Sequence, residues 1–334
     1  MKFGPVALAD AQGAILAHSV QAGARKLRKG AVLSASDIAD LAAAGLSTVT
    51  VARLDAGDVH ENEAAEILAR ALVPDADHAC LSLSEPFTGR VNLLAAAPGV
   101  ALLDAERIRD VNGINPMITV ATVQSYQQMH PGGMIATVKI ISYGVPRTDL
   151  VRAAQLARSA VRLQPAIYAN AGLIVTEICG TRPGEKGVAA VRARVEALGM
   201  KLSDVVTVPH DTNSLANAIA RISADLVLIL TGSATSDPAD IGPSALRQAG
   251  GRIERFGMPV DPGNLLFLGH LEHRPVVGLP GCARSPALNG ADWVLSRLAC
   301  GVGVTDADIA DMGVGGLLKE IPTRPQPRAG RKPR

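Results

Sequence analysis

The sequence predicts an α/β fold, a doubly wound and mostly parallel sheet in the second half of the chain, preceded by smaller α+β segments. Three observations carry this. From Pro165 onward strand-type and helix-type segments alternate over about 140 residues, the pattern of repeated βαβ units. Leu226–Leu230 is a continuous apolar run closed by polar and glycine signals, as a strand buried on both faces of a parallel sheet requires. Glycine-rich turns at Gly232, at Gly263, and at Gly278 with Gly281 each follow or join an apolar β-type run. Open α/β sheets bind ligands beyond the carboxyl ends of such strands.

Composition narrows the function classes. The 334 residues suffice for two or three domains. Aromatic residues are only 2% of the chain, so its core must be built from Ala, Val, Leu and Ile. With 33 basic and 31 acidic residues the net charge is +2, too balanced to point to nucleic acid or to an anionic membrane surface. No apolar run reaches the ~20 residues that a bilayer crossing needs. The opening MKFGPVALADAQG meets Asp10 before a long apolar stretch forms, so no secretory signal is expected. Cys80, Cys179, Cys282 and Cys300 are scattered, without a CxxC pair or Cys/His metal spacing. A cytoplasmic protein with reduced thiols is the expectation.

Four segments are expected, 1–75, 76–160, 161–304 and 305–334. In the first, Ala14–Val20 reads as a strand and Leu27–Leu33 carries a Lys-Gly turn. Ser36 can cap a helix over Asp37–Ala44 that Gly45 stops, and Ser47–Val51 alternates with period two. Asp58–Leu72 reads as a helix whose acidic first turn suits the helix dipole. From Leu81 to Val145 two or three helices and two strands are expected, with Met134–Tyr143 a strand and His130–Gly133 a turn before it. Arg147–Arg162 is a helix.

In the third segment the expected strands are Ala171–Ile178, Val205–Val208 and Leu226–Leu230. They alternate with helices over Gly187–Leu198 and from Asp211 to Ser223. Pro243–Ala249, Ile253–Val260, Leu265–Leu268 and Val276–Leu279 are further elements, and a last helix spans Pro286–Cys300. The tail, Lys319–Arg334, holds six basic residues, one acid and four prolines and is expected to be extended and mobile, a solvated linker in preference to a nucleic-acid or membrane tether.

Several residues could do chemistry. Thr231, Gly232 and Ser233, with Thr235 and Ser236, form a small-residue loop after a strand, where backbone N–H groups can approach an anion and hydroxyls add donors. Gly278, Leu279, Pro280 and Gly281 form a turn followed by Cys282, Ala283, Arg284 and Ser285. That turn is expected to deliver a helix N-terminus near Ser285, an anion site to which Arg284 adds a bidentate contact. Cys282 reads either as a nucleophile or as a small helix-entry residue.

Asp237 and Asp240 could hold Mg²⁺ through water, or could simply turn and cap the chain. Thr176 and Glu177 end another strand, and Arg182 or Lys186 beyond them, with Thr181, could neutralise a phosphate or lie in a solvated loop. Asp211 is most simply an N-cap and His210 structural, while His270 and His273 flank a hairpin-like turn without an assigned role.

The order and spacing of the glycine-rich blocks resemble the molybdopterin-binding domain shared by the MoeA/gephyrin and MogA families. That pattern runs roughly TGG-x-S-x-G-D-x-D, then a P-G-K-P turn, then G-L-P-G-N-P-V-S. Thr231, Gly232 and Asp240 fit the first block, Pro262 and Gly263 the second, and Gly278, Leu279, Pro280, Gly281 and Ser285 the third. Ser233 stands for a glycine, Pro238 for the first aspartate, Asn264 for the lysine and Cys282 for the asparagine.

The run KLRKGAVLSASDIADLAAAGLSTVTVAR resembles a MoeA segment. TVATVQSY and MIATVKIISYGVP are similar to the middle of proteins in which a MoeA-like front section precedes a nucleotidyltransferase domain. The LAAG-x-S-x-R-M-G loop of that domain does not occur here, so the chain is expected to match the front part alone.

The resemblance implies a molybdopterin ligand held by Thr176, Thr231, Gly232, Ser233, Pro262, Gly263, Asn264, Gly278, Pro280, Gly281, Cys282, Arg284 and Ser285. It makes Asp237 and Asp240 the catalytic acids and metal ligands, with Mg²⁺ and molybdate as candidate metals. It implies a step in molybdenum-cofactor biosynthesis: metal insertion by a MoeA-like molybdenumtransferase, or hand-over to a nucleotidyltransferase. A homo-oligomer follows by the same resemblance. Two alternatives stay open, a non-catalytic carrier and a binder of another pterin or nucleotide on the same fold.

Overall fold

The computed structural model describes residues 1–178 and 185–318. Cys179, Thr181, Arg182 and the basic tail Lys319–Arg334 lie outside the described residues. The chain divides into two compact units, Met1–Gln164 and Pro165–Arg334. Among the described residues no helix is long and apolar enough to cross a membrane.

The N-terminal unit is mostly antiparallel β-structure. Lys2–Ala7, Thr48–Arg53 and Ile15–Leu16 form a three-stranded sheet, with Thr48–Arg53 in the middle. Val20–Ala22 and Arg25–Leu27 form a hairpin. The first helix spans Ala35–Ala43, and its cap is Ser34 rather than Ser36. Ser34 Oγ accepts the Asp37 N–H, and the Asp37 carboxylate accepts the Ser34 N–H, a closed capping box.

The helix expected from Asp58 begins at Glu61, because Asp58–His60 is a strand paired with Gly144–Pro146. The largest difference lies between Leu81 and Val145, where there is one helix, Ala105–Asn112. The rest is short strands: Met134–Ile140 lies between Ile118–Thr122 and Arg90–Ala95, and Leu81–Leu83 lies outside the latter. Gly99–Leu103 pairs with Gln128–Met129 and Val161–Gln164. Buried and exposed residues alternate along Arg90–Ala95, a period of two that six residues declare only weakly.

The C-terminal unit is the doubly wound domain. In chain order it contains β1 (Asn170–Glu177), α1 (Glu185–Glu196), β2 (Lys201–Pro209), α2 (Thr212–Arg221), β3 (Leu226–Leu230) and α3 (Ile241–Gln248). Then come β4 (Arg252–Phe256), β5 (Phe267–Leu271), β6 (Arg274–Leu279), a 3₁₀ turn at Gly281–Arg284, α4 (Gly290–Ala299) and α5 (Asp306–Asp311). The sheet order is β2-β1-β3-β6-β5-β4. The first four strands are parallel and the last two antiparallel.

Helices cover both faces. Leu226, Leu228 and Leu230 of β3 pack in one core with Val191 and Val195 of α1 and Val294 and Leu295 of α4. Val227 and Ile229 point into the other, with Leu215 and Ile219 of α2 and Leu246 of α3. β3 is therefore buried along its whole length, as its unbroken apolar run predicts. From β1 the chain goes to β2 on one side and then crosses to β3 on the other. The strand order thus reverses between β1 and β3, the position at which open α/β sheets hold their ligands.

Candidate functional site

The strand register assembles the site. Val175 is level with Leu230, and Leu230 with Leu279. Thr176 and Glu177, Thr231 and Gly232, and Pro280 and Gly281 therefore leave the sheet side by side at its carboxyl edge. Thr176 is 1% exposed, and its hydroxyl accepts the Gly232 N–H at 2.8 Å. A Cβ on Gly232 would sit 2.8 Å from the Thr176 carbonyl oxygen, so only glycine lets β3 leave the sheet this close to β1.

The loop after β3 folds on itself. Thr231 Oγ1 donates to the Ser233 carbonyl at 2.6 Å and lies 3.3 Å from Thr235 Oγ1. Asp240 caps α3, one oxygen accepting the Ile241 N–H at 2.7 Å and the other the Ser236 N–H at 3.1 Å. Asp237 accepts from Ala239 N–H at 2.7 Å. Among the described residues, the Ser233 and Ala234 N–H groups have no acceptor in the chain. They are free donors on an exposed loop.

Arg284 connects the third block to the first. Its Nη2 donates to the Thr231 carbonyl at 2.6 Å, and its side chain lies over Gly187 in the first turn of α1. Among the described residues it makes no ion pair. The side chain is half-buried. A guanidinium with no carboxylate partner thus stands beside the positive end of α1. Gly281 is exposed, and a Cβ there would meet nothing within 4 Å.

The helix expected near Ser285 starts at Gly290 instead, after the 3₁₀ turn and the intervening segment 285–289. Asn289 caps it by accepting from Ala291 N–H, while Asp292 accepts the Asn289 N–H. Ser285 is accordingly not at a helix N-terminus. The Pro262 carbonyl accepts the Gly290 N–H at 2.8 Å, which fastens the Pro262–Asn264 turn to the end of this loop. Gly263 is buried against Gly290, and Asn264 is exposed, its amide nitrogen 3.5 Å from the Met258 carbonyl.

Gly278 lies inside β6 opposite Phe267, and a Cβ there would be 1.9 Å from the ring. Packing alone accounts for this glycine. Burial pushes the Cys282 thiol up from its ordinary range, which disfavours the thiolate.

Two residues of the site carry little sequence signal. Arg194, in the last turn of α1, binds Asp292 at 2.6 Å and donates to the carbonyls of Ala190, Ala283, Ser285 and Ala287. It fixes the path of the whole 283–287 segment, yet in sequence it is one charge on an amphipathic helix. His210, read as structural, places Nδ1 2.7 Å from Thr176 Oγ1. Lys186 is exposed in the first turn of α1.

The geometry defines the C-terminal unit as a doubly wound α/β domain whose glycine-rich loops gather at one carboxyl edge of the sheet. Residues 182–299 match the family model described as "Probable molybdopterin binding domain". Residues 5–53 match a domain of unknown function. No curated protein matches the chain in sequence. Among solved structures, the crystal structure of a molybdopterin biosynthesis MoeA protein from Pyrococcus horikosii is 14% identical. That match covers 90% of this chain and 75% of the other, at a TM-score of 0.32, too low to bear on residue roles.

Proposed function

We propose that the C-terminal unit binds a molybdopterin-type ligand at the carboxyl edge of β1, β3 and β6, and that the chain serves molybdenum-cofactor biosynthesis through it. Arg284 is the observation that carries the reading. It is a half-buried cation without an acid partner, next to the start of α1 and near the free Ser233 and Ala234 amides. A phosphate suits that set, because guanidinium and oriented N–H groups make short, charge-assisted bonds to its oxygens. Gly281, whose missing side chain faces open space, leaves room for the pterin beside it.

Within this reading, holding and handing over the cofactor is favoured over inserting the metal. Burial disfavours the Cys282 thiolate, and Asn264 brings no cation where the resembling family has a lysine. Both Asp240 oxygens and one Asp237 oxygen already accept backbone N–H groups. Lone pairs remain on each, and Asp237 and Asp240 are where Mg²⁺ would bind through water. Among the described residues no third His, Cys, Asp or Glu joins them in a metal-binding group. A nucleotidyltransferase is the proposed recipient, and a homo-oligomer the proposed assembly.

The test is incubation with molybdopterin, molybdate and Mg²⁺, followed by analysis of what the protein retains. Retention of unchanged molybdopterin is the expected result. Molybdenum in the bound ligand would assign insertion instead, and no retention would overturn the reading.

A further inference from the structure

Three adjacent strand ends are joined by one hydroxyl. His210 at the end of β2, Thr176 at the end of β1 and Gly232 beyond β3 share Thr176 Oγ1, with contacts of 2.7 Å and 2.8 Å. The hydroxyl is buried and makes no other hydrogen bond among the described residues. Gly232 N–H can only donate, so it takes one of the oxygen's lone pairs. The single hydroxyl proton then has one place to go, the Nδ1 lone pair of His210. This requires a neutral ring with its proton on Nε2.

We propose that His210 is a positioning residue: through Thr176 it sets the Gly232 amide at the mouth of the site, and its protonation loosens that amide and weakens ligand binding. This rests on the proposed molybdopterin site. A protonated ring puts a second donor against Thr176 Oγ1 and leaves the hydroxyl proton without an acceptor in a buried position. The oxygen must turn, and the Gly232 N–H loses its alignment.

Among the described residues, the ionisable groups nearest the ring are few. Asp211 follows it in the chain and is committed to capping α2. Glu177 of β1 accepts the His210 N–H through its carbonyl. On α2 the only charged residue is Arg221, in its last turn.

The Gly232 amide is followed by ¹⁵N NMR in the ligand-free protein, and molybdopterin affinity by titration, each between about pH 7.5 and 5.5. Wild-type Gly232 should shift with the His210 ring, and affinity should fall about three- to tenfold across that interval. His210→Asn keeps an acceptor near the Nδ1 position but cannot titrate. Both of its pH profiles should be flat. Thr176→Val removes the hydroxyl that links the two groups and should flatten the pH profile of Gly232.

A Gly232 amide that ignores His210 titration would overturn the proposal whatever the ligand does. Coupling in the free protein with no molybdopterin binding at any pH would overturn the ligand reading and leave the linkage standing.

Discussion

Arg284→Met removes the guanidinium but keeps the aliphatic stem, whose Cγ lies where a Cβ on Gly187 would touch it at 3.4 Å. Two effects can be separated. The folded protein loses one hydrogen bond, from Nη2 to the Thr231 carbonyl at 2.6 Å, costing about 0.5–1.5 kcal/mol of stability. The ligand loses a charged, half-buried donor, worth about 1.5–3 kcal/mol, or a roughly 10- to 150-fold weaker Kd. Arg284→Lys keeps the charge but not the fork and should fall between wild type and Met. Calorimetric titration of molybdopterin gives the affinities, and urea denaturation the stabilities. The loss should shrink only modestly with added salt, because partly buried pairs are poorly screened. An Arg284→Met protein that folds and binds with wild-type affinity would refute the placement of the phosphate.

Three further outcomes follow from the packing and capping. Gly278→Ala should destabilise by about 1–3 kcal/mol in denaturant titration, because its Cβ would overlap the Phe267 ring; adding Phe267→Leu should recover most of the loss. Arg194→Met leaves Asp292 largely buried without its partner and frees the carbonyls of Ala283, Ser285 and Ala287. It should cost about 3–5 kcal/mol and weaken ligand binding, whereas a cost below about 1 kcal/mol would refute the staple. The Asp211 carboxyl is held below the usual carboxylate range, chiefly by the Ser214 backbone N–H and then by its side chain. A depressed value means that its stabilisation is complete above the unfolded pKa of about 3.9 and is lost as pH falls through the folded one. Asp211→Asn keeps a cap but not the charge, so wild type should lose more stability than the variant on acidification.

The parts of the fold that read directly from sequence are those fixed by local chemistry. Leu226–Leu230 is a strand with the expected limits because nothing but burial on both faces suits five successive aliphatic side chains. Asp211 caps α2 because a carboxylate before a helical run has one obvious use. The stretch from Leu81 to Val145 is less legible, since its strands are short, from two residues in Gln128–Met129 to seven in Met134–Ile140. Their partners are distant in sequence, Arg90–Ala95 pairing with Met134–Ile140.

The site divides the same way. Glycine-rich strand ends and Arg284 stand out as motifs, and the register brings the strand ends together. Ser285 misleads because Asn289, a stronger cap with Asp292 behind it, takes the helix start. Arg194 and His210 act across the fold, on loops about 90 and strand ends about 30 positions away, and no local pattern marks them.

The most direct measurement is calorimetric titration of molybdopterin into the wild-type chain and into Gly281→Val. The added side chain points into open space in the free protein, so the fold should be undisturbed. Saturable binding by wild type, lost in a normally folded Gly281→Val protein, is the predicted result. Equal binding by both would move the ligand away from the strand-end loops, and no binding by wild type would contradict the molybdopterin site itself.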